Sequence, residues 1–196
     1  MKKIIVLFFT AFLLVGCASS YKSLHVENMH FNNEEKGDQI SYSYKFNVLQ
    51  DSGNKKYAKK EVNNNVDVVA VQITNNTSTE IDVRKDLKFE VNHRIAYPME
   101  SSAVGNLIKQ GSAIYLLYLP VTLSAGTGII PIGIPIALIN MISAGSSNGK
   151  FKTEFTQNNL LDTKIKPGET VEGLIGFSNI DFGNIKISVI DQVVEK

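Results

Sequence analysis

Hydrophobic and polar positions alternate strictly from Asp38 to Leu49: Ile40, Tyr42, Tyr44, Phe46 and Val48 point one way, Ser41, Ser43, Lys45 and Asn47 the other. Period two with β-branched and aromatic residues predicts a half-buried strand. A weaker strand is expected around Leu24, Val26 and Phe31. The run from Asp51 to Lys56 reads as a turn leading into a basic, solvated connection, or alternatively as a lysine patch for anionic lipid. Val66 to Ile73 is nearly continuous valine, the pattern of a strand covered on both faces. After the turn formers Asn75-Asn76-Thr77-Ser78, alternation returns at Ile81 and Val83, at Leu87, Phe89 and Val91, and at Ile95 and Tyr97. Mixed charges at 79–82 and 84–86 suit a solvated strand edge. Past Pro98 the alternation stops until Leu161–Ile165, Thr170–Ser178 and a last strand from Ile185 to about Val194. Seven or more short strands separated by Asn, Gly and Pro turns predict an antiparallel β-sandwich.

The interruption is the unusual part. No charged side chain occurs between Lys109 and Lys150. At the chain's 20% of charged residues, a gap of 40 positions has a chance of about 10⁻⁴. Residues 113–145 are almost wholly apolar. A straight helix of that length would extend about 50 Å, beyond a hydrocarbon core of roughly 30 Å. Pro120, Pro131 and Pro135 would break or kink it, and Ser124-Ala125-Gly126-Thr127-Gly128 is a natural reversal point. The expectation is a helical hairpin, or two broken helices, entered by a helix over Ser101–Gln110 and left by Phe151–Leu161. Three readings fit: these residues are core, they contact a membrane, or they form an oligomer or partner interface. Leu116, Leu119, Ile130, Ile134 and Ile139 are the residues whose exposure decides among them.

At the N-terminus, Lys2 and Lys3 precede an apolar stretch from Ile4 to Val15, too short to span a bilayer and of the right length for an export signal. It ends in Leu14-Val15-Gly16-Cys17. This resembles the lipobox of bacterial lipoprotein precursors. The resemblance implies cleavage between Gly16 and Cys17 and acylation of Cys17, the single cysteine of the chain; an ordinary secreted protein is the alternative. Two or three acyl chains, at about 0.8 kcal/mol per buried CH₂, hold a protein durably on a membrane. The expected organisation is a signal peptide over 1–16, a lipid-anchored tether over 17–23 and a sandwich over 24–196, interrupted at 101–160. By the same resemblance, Ala18 after the cysteine suits delivery to the outer membrane of a diderm cell, or the outer face of the plasma membrane otherwise.

Two blocks of the body carry a second resemblance. Ile73-Thr74-Asn75-Asn76-Thr77 ends one strand, and Lys166-Pro167-Gly168-Glu169 precedes the Gly173–Phe177 strand. This is similar to the immunoglobulin-like domains of many secreted and lipid-anchored bacterial proteins. It implies a binding or spacer role and supplies no catalytic residues.

Composition removes other classes. The 196 residues include 20 basic and 19 acidic side chains, and removal of Lys2 and Lys3 with the signal leaves a formal −1. That balance argues against nucleic acid. One cysteine excludes an internal disulfide or a multi-cysteine zinc site. His25 and His30, five apart on an expected strand, face opposite ways, and His93 is the remaining histidine, so no metal or cofactor is expected. Gly145-Ser146-Ser147-Asn148-Gly149-Lys150 is one residue short of a phosphate loop and lacks its Ser/Thr, so no nucleotide is expected. No Gly-x-Ser-x-Gly occurs. The function expected is therefore a non-enzymatic envelope lipoprotein whose partners are the membrane, through Cys17, and a second copy or another envelope protein. A self-assembling bundle or pore built through residues 113–145 is the main alternative, and an envelope enzyme a remote one.

Overall fold

The computed structural model describes residues 18–125, 128–180 and 183–190. The expected signal segment with Gly16 and Cys17, and the end of the last expected strand, lie outside the described residues. The described chain divides into two compact units. One joins residues 18–21 to Gln110–Lys150, and the other joins Lys22–Lys109 to the chain from Phe151 onward.

The second unit is sheet-rich and antiparallel. In chain order it opens with β1 (Asn33–Lys36), β2 (Ile40–Lys45), the short α1 (Val48–Asp51), α2 (Lys55–Asn64) and β3 (Val66–Asn75). There follow β4 (Ile81–Asp82), α3 (Val83–Asp86), β5 (Leu87–Val91), β6 (Arg94–Ile95), β7 (Pro98–Met99) and α4 (Ser101–Leu107). The first unit contributes β8 (Leu123–Ala125), β9 (Gly128–Ile130) and the start of α5 (Gly133–Gln157). The chain then returns through β10 (Lys164–Ile165), β11 (Thr170–Ser178) and β12 (Ile185–Val189).

The order β1-β2-β3-β11-β7 forms a five-stranded sheet, and β12-β5-β6 a three-stranded one. Period-two geometry sends alternate residues of β3 to opposite faces. Val69, Val71 and Ile73 join Tyr42, Tyr44, Ile175 and Phe177 in a core shared with Leu87, Phe89, Val91, Ile185 and Ile187 of the smaller sheet. Val66, Val68 and Ala70, on the other face, are equally buried. There α1 and α2 pack on β3, and Gly176 of β11 lies under Val104 of α4 and Phe155 of α5. Helices on one face and a sheet on the other explain the unbroken valine run. Two tyrosines of β2 connect to the chain at β12: Tyr44 Oη donates to Asn184 Oδ1 at 2.8 Å, and the Ile187 N–H donates to the Tyr42 hydroxyl. Burial pushes the Tyr42 phenol up, against the lowering effect of that N–H.

Several expectations change. The antiparallel sheets are present, but helical turns occupy as large a share of the described residues as strands. Leu24 and Val26 are buried as expected, yet Val26–Asn28 is a 3-10 turn entered through His25 in the left-handed region (φ 48°). The basic connection after Asn54 is instead α2, because Tyr57, Ala58 and Glu61 bury one side of a helix whose lysines face out. Ile81 and Val83 belong to a two-residue strand and a helical turn. Asp82 caps that turn, accepting from the Arg84 and Lys85 N–H groups at 3.1 and 3.3 Å. The interruption is not a helical hairpin. A 3-10 segment (Ala113–Tyr118) leads to the antiparallel pair β8–β9, and a single helix follows. The reversal lies where the Ser-Ala-Gly-Thr-Gly run put it, but Pro120 and Pro131 confine helix to either side, and β-branched residues favour strands between them. The compact apolar unit also begins at Gln110 and ends at Lys150. The helical stretches on either side, up to Leu107 and from Phe151, belong to the sheet unit.

Candidate functional site: an exposed apolar surface

Helix α5 carries its large and small residues on the unexpected sides. At 100° per residue, Ala137, Asn140, Ala144 and Ser147 share one face, and all four are buried. Ile134, Leu138, Ile139 and Ile142 share the opposite face, and all four are exposed. An ordinary surface helix does the reverse, hiding its large aliphatics and presenting its polar residues to water. Here small and polar side chains lie inside and branched hydrocarbon lies outside.

The segment before α5 also exposes large aliphatics. Ile114, Leu116, Leu117 and Leu119 are exposed around the 3-10 segment, with Tyr115 buried and stacked on Tyr118 at 6.4 Å. Ile129 and Ile130 are exposed on β9. The path from this hairpin into α5 is tight: Gly133 N–H donates to the Val121 carbonyl at 2.8 Å, and Val121 N–H to that of Tyr118 at 2.9 Å. A side chain at Gly133 would meet the Tyr118 carbonyl oxygen at 1.7 Å, so only glycine fits.

All five residues named from sequence are exposed: Leu116 47%, Leu119 44%, Ile130 49%, Ile134 46% and Ile139 67%. Their reading as core is therefore overturned. Leu117, Leu138 and Ile142 were missed, although their spacing from Ile134 along one helix, read on the 3.6 period, would have found the last two. Four large aliphatics exposed along one face of a single helix are more than scattered surface hydrophobics, and large exposed apolar patches on monomeric proteins usually have a use.

Polar groups hold the unit together from inside. The buried Gln110 donates its N–H to Asn148 Oδ1 at 2.8 Å, and Asn148 Nδ2 donates to the Gln110 carbonyl at 3.0 Å. The Gln110 side chain accepts from Ser19 N–H at 3.1 Å and donates to the Ser19 carbonyl at 2.8 Å. Asn140 Oδ1 accepts from Ala18 N–H at 2.7 Å, and its Nδ2 donates to the Ile136 carbonyl at 2.9 Å. Ala18 is the residue directly after Cys17, so the expected acylation position adjoins, in sequence, a residue fixed to the buried face of α5. In the sheet unit, Lys22 and Asn54 exchange hydrogen bonds at 2.8 and 2.7 Å, and Glu154 accepts from Ser23 Oγ and Leu24 N–H at 2.8 and 2.7 Å. The brief tether expected after Cys17 thus makes backbone hydrogen bonds to side chains of the fold from Ala18 to Leu24.

Reactive groups are scattered. His25 reaches only Glu27, at 3.4 Å on the surface. His93 occupies the β5–β6 turn (φ 65°), and among the described residues no three His, Cys, Asp or Glu side chains gather where a metal ion would need them. A groove of about 590 Å³ beside β12 is lined by Glu35, Asp38, Glu90, Lys36, His93 and Lys186 among others. Glu90, held below the usual carboxylate range by the Lys88 ammonium at 2.6 Å, is paired for structure. Arg84 bridges Glu100 and Asp162 on the surface. Among the described residues no helix is long and apolar enough to cross a membrane. No protein-family model, curated protein or solved structure matches this chain.

Proposed function

We propose that the chain is a non-enzymatic, lipid-anchored protein of a bacterial cell envelope, with an immunoglobulin-like frame and an apolar unit that lies in the interfacial region of the bilayer. One observation carries the reading. The face of α5 that meets solvent is hydrocarbon, and the opposite face holds, through Asn140, the residue next to the lipidation cysteine. The residue that follows the anchor position and the apolar surface therefore belong to one compact unit, whose described residues carry no charge before Lys150. A segment without a spanning helix but with exposed aliphatics suits insertion into the headgroup and upper acyl region. The frame reading is supported by two sheets sharing one core and by the meeting of the Asn75 turn with the Gly168 turn, where the Gly168 N–H donates to the Asn75 carbonyl at 2.8 Å.

The test has two parts. Cys17→Ser should abolish incorporation of a fatty-acid analogue; persistent incorporation overturns the anchor. The processed protein in vesicles carrying a photoactivatable phospholipid should be labelled on Ile134, Leu138, Ile139 and Ile142. Labelling spread evenly over the sheet unit, or none, overturns the membrane role of α5.

A second reading, self-assembly, draws on a separate observation. Gly145 and Gly149 continue the exposed stripe of Ile134, Leu138 and Ile142, and open space lies over both positions. Small residues four apart let two helices approach closely within a bilayer. Detergent-stable oligomers lost in Gly145→Leu would favour assembly over simple contact with lipid.

A further inference from the structure

We propose that helix α2 lays a cationic face on anionic glycerophospholipid headgroups, giving the protein a second, electrostatic contact with the bilayer; this rests on the lipid-anchored reading above. The helix begins with four lysines in six residues, Lys55, Lys56, Lys59 and Lys60, and no acid lies among them. Its single acidic residue, Glu61, is buried and accepts the Val68 N–H at 2.8 Å, so it does not neutralise the outer face. Lys55, Lys59 and Val62 follow one another at i, i+4 and i+7 on that face, and Val62 is 72% exposed. Cations flanking an exposed aliphatic are the composition of an interfacial helix. Among the described residues, no ion pair engages Lys22, Lys55, Lys59 or Lys60, and these four lie together in or beside α2, whereas Lys36, Lys45, Lys85, Lys88 and Lys164 each meet a carboxylate.

Chain length puts this face near the lipid. The Lys22 backbone N–H donates to Asn54 Oδ1 and its carbonyl accepts from Asn54 Nδ2, Asn54 being the residue preceding α2. Four residues lie between Cys17 and Lys22, so five steps of chain join them, a reach of at most about 18 Å even if fully extended. An acylated Cys17 therefore holds Lys22 and the first turn of α2 within that distance, plus the few residues of the helix itself, of the headgroup layer. Clustered lysines so close to a membrane are drawn to anionic lipid, and the attraction is screened by salt.

The test uses the processed, acylated protein in vesicles of phosphatidylcholine alone or mixed with phosphatidylglycerol, with flotation followed by amine acetylation read by mass spectrometry. Flotation with both vesicles and several-fold protection of Lys55 and Lys59 only with phosphatidylglycerol, lost at high salt, is the expected result. Lys36 and Lys164 should label equally throughout. The double variant Lys55→Glu/Lys59→Glu should still float on neutral vesicles while losing the difference between lipids at Lys22 and Lys60. Equal labelling of the helix in both vesicles overturns the proposal and leaves the anchor standing. Protection in isolated envelopes but in neither vesicle assigns the face to an envelope protein and also overturns it. Failure to float on either vesicle sinks the anchored reading and this one with it.

Discussion

Asn75 and Gly168 join two turns that are far apart in the sequence: the Gly168 N–H donates to the Asn75 carbonyl at 2.8 Å, and the Asn75 N–H donates to the neighbouring Glu169 carbonyl at 3.0 Å. The Asn75 side chain is fully buried and uses all four of its hydrogen-bonding positions. Nδ2 donates to the carbonyls of Thr79 and Ile165 at 2.7 and 2.9 Å, and Oδ1 accepts from Thr77 N–H and Thr77 Oγ1 at 2.9 and 2.7 Å. Asn75→Ala leaves these groups without partners in the interior and should lower the free energy of unfolding by about 2–4 kcal/mol. Asn75→Asp sets a carboxylate against two carbonyls and should do at least as much damage at neutral pH. Urea unfolding curves superimposable on the parent would show that the turns are not held by this residue.

Glu61 gives the fold a pH dependence of unusual sign. Burial pushes its carboxyl up to about 8, the Val68 N–H opposes that rise, and Asp67 adds to it. The folded state therefore keeps a proton that the unfolded chain releases near the ordinary value of 4.5. Between those two points stability falls as pH rises, and above about 8 the full cost of a buried carboxylate is present. Glu61→Gln, which still accepts from Val68, should match the parent near pH 4 and exceed it increasingly towards pH 9. A constant difference between the two proteins across that range would show that burial does not raise the Glu61 carboxyl.

The exposed aliphatics of α5 should matter for location and not for folding. Leu138→Asp/Ile139→Asp adds two charges at solvent-facing positions, so the unfolding midpoint should move little, within about 0.5 kcal/mol per site. Partition of the acylated protein into vesicles should weaken by tenfold or more, since each aliphatic fully withdrawn from water is worth about 1.5–3 kcal/mol. Cooperative unfolding lost in this variant would return these residues to the core.

Two glycines of α5 should respond oppositely to the same change. Gly133→Ala drives a methyl group into the Tyr118 carbonyl and should destabilise the hairpin–helix junction by more than 2 kcal/mol, about the upper range of overpacking costs. Gly145→Ala meets open space inside a helix and should stabilise by about 1 kcal/mol. Thermal unfolding of both variants checks the pair; the same sign for both would contradict the geometry at one of them.

The parts of the fold legible in the sequence were those where one period dominates. β3 and β11 were legible because both run over many residues without interruption, and the Asn-Asn-Thr and Pro-Gly-Glu turns because their residues have few other uses. α2 was not: its buried side consists of Tyr57, Ala58 and a carboxyl, and a run of lysines hides so weak a stripe. The β8–β9 hairpin escaped for the opposite reason, since in a segment where nearly every residue is apolar neither period stands out. Exposure of Leu116, Leu119, Ile130, Ile134 and Ile139 could not be read at all. Inside and outside are normally distinguished by polarity, and here the polar residues Asn140, Ser147 and Gln110 are the ones inside.

Many acylated proteins hang from a slack leader and sample a wide volume above the lipid. The chain following Cys17 has no such slack, because Ala18, Ser19, Lys22 and Leu24 each donate a backbone N–H to a side chain of the folded body. On the lipid-anchored reading, an acylated Cys17 would give this protein a short leash. A partner of such a protein would then have to come to the bilayer to find it.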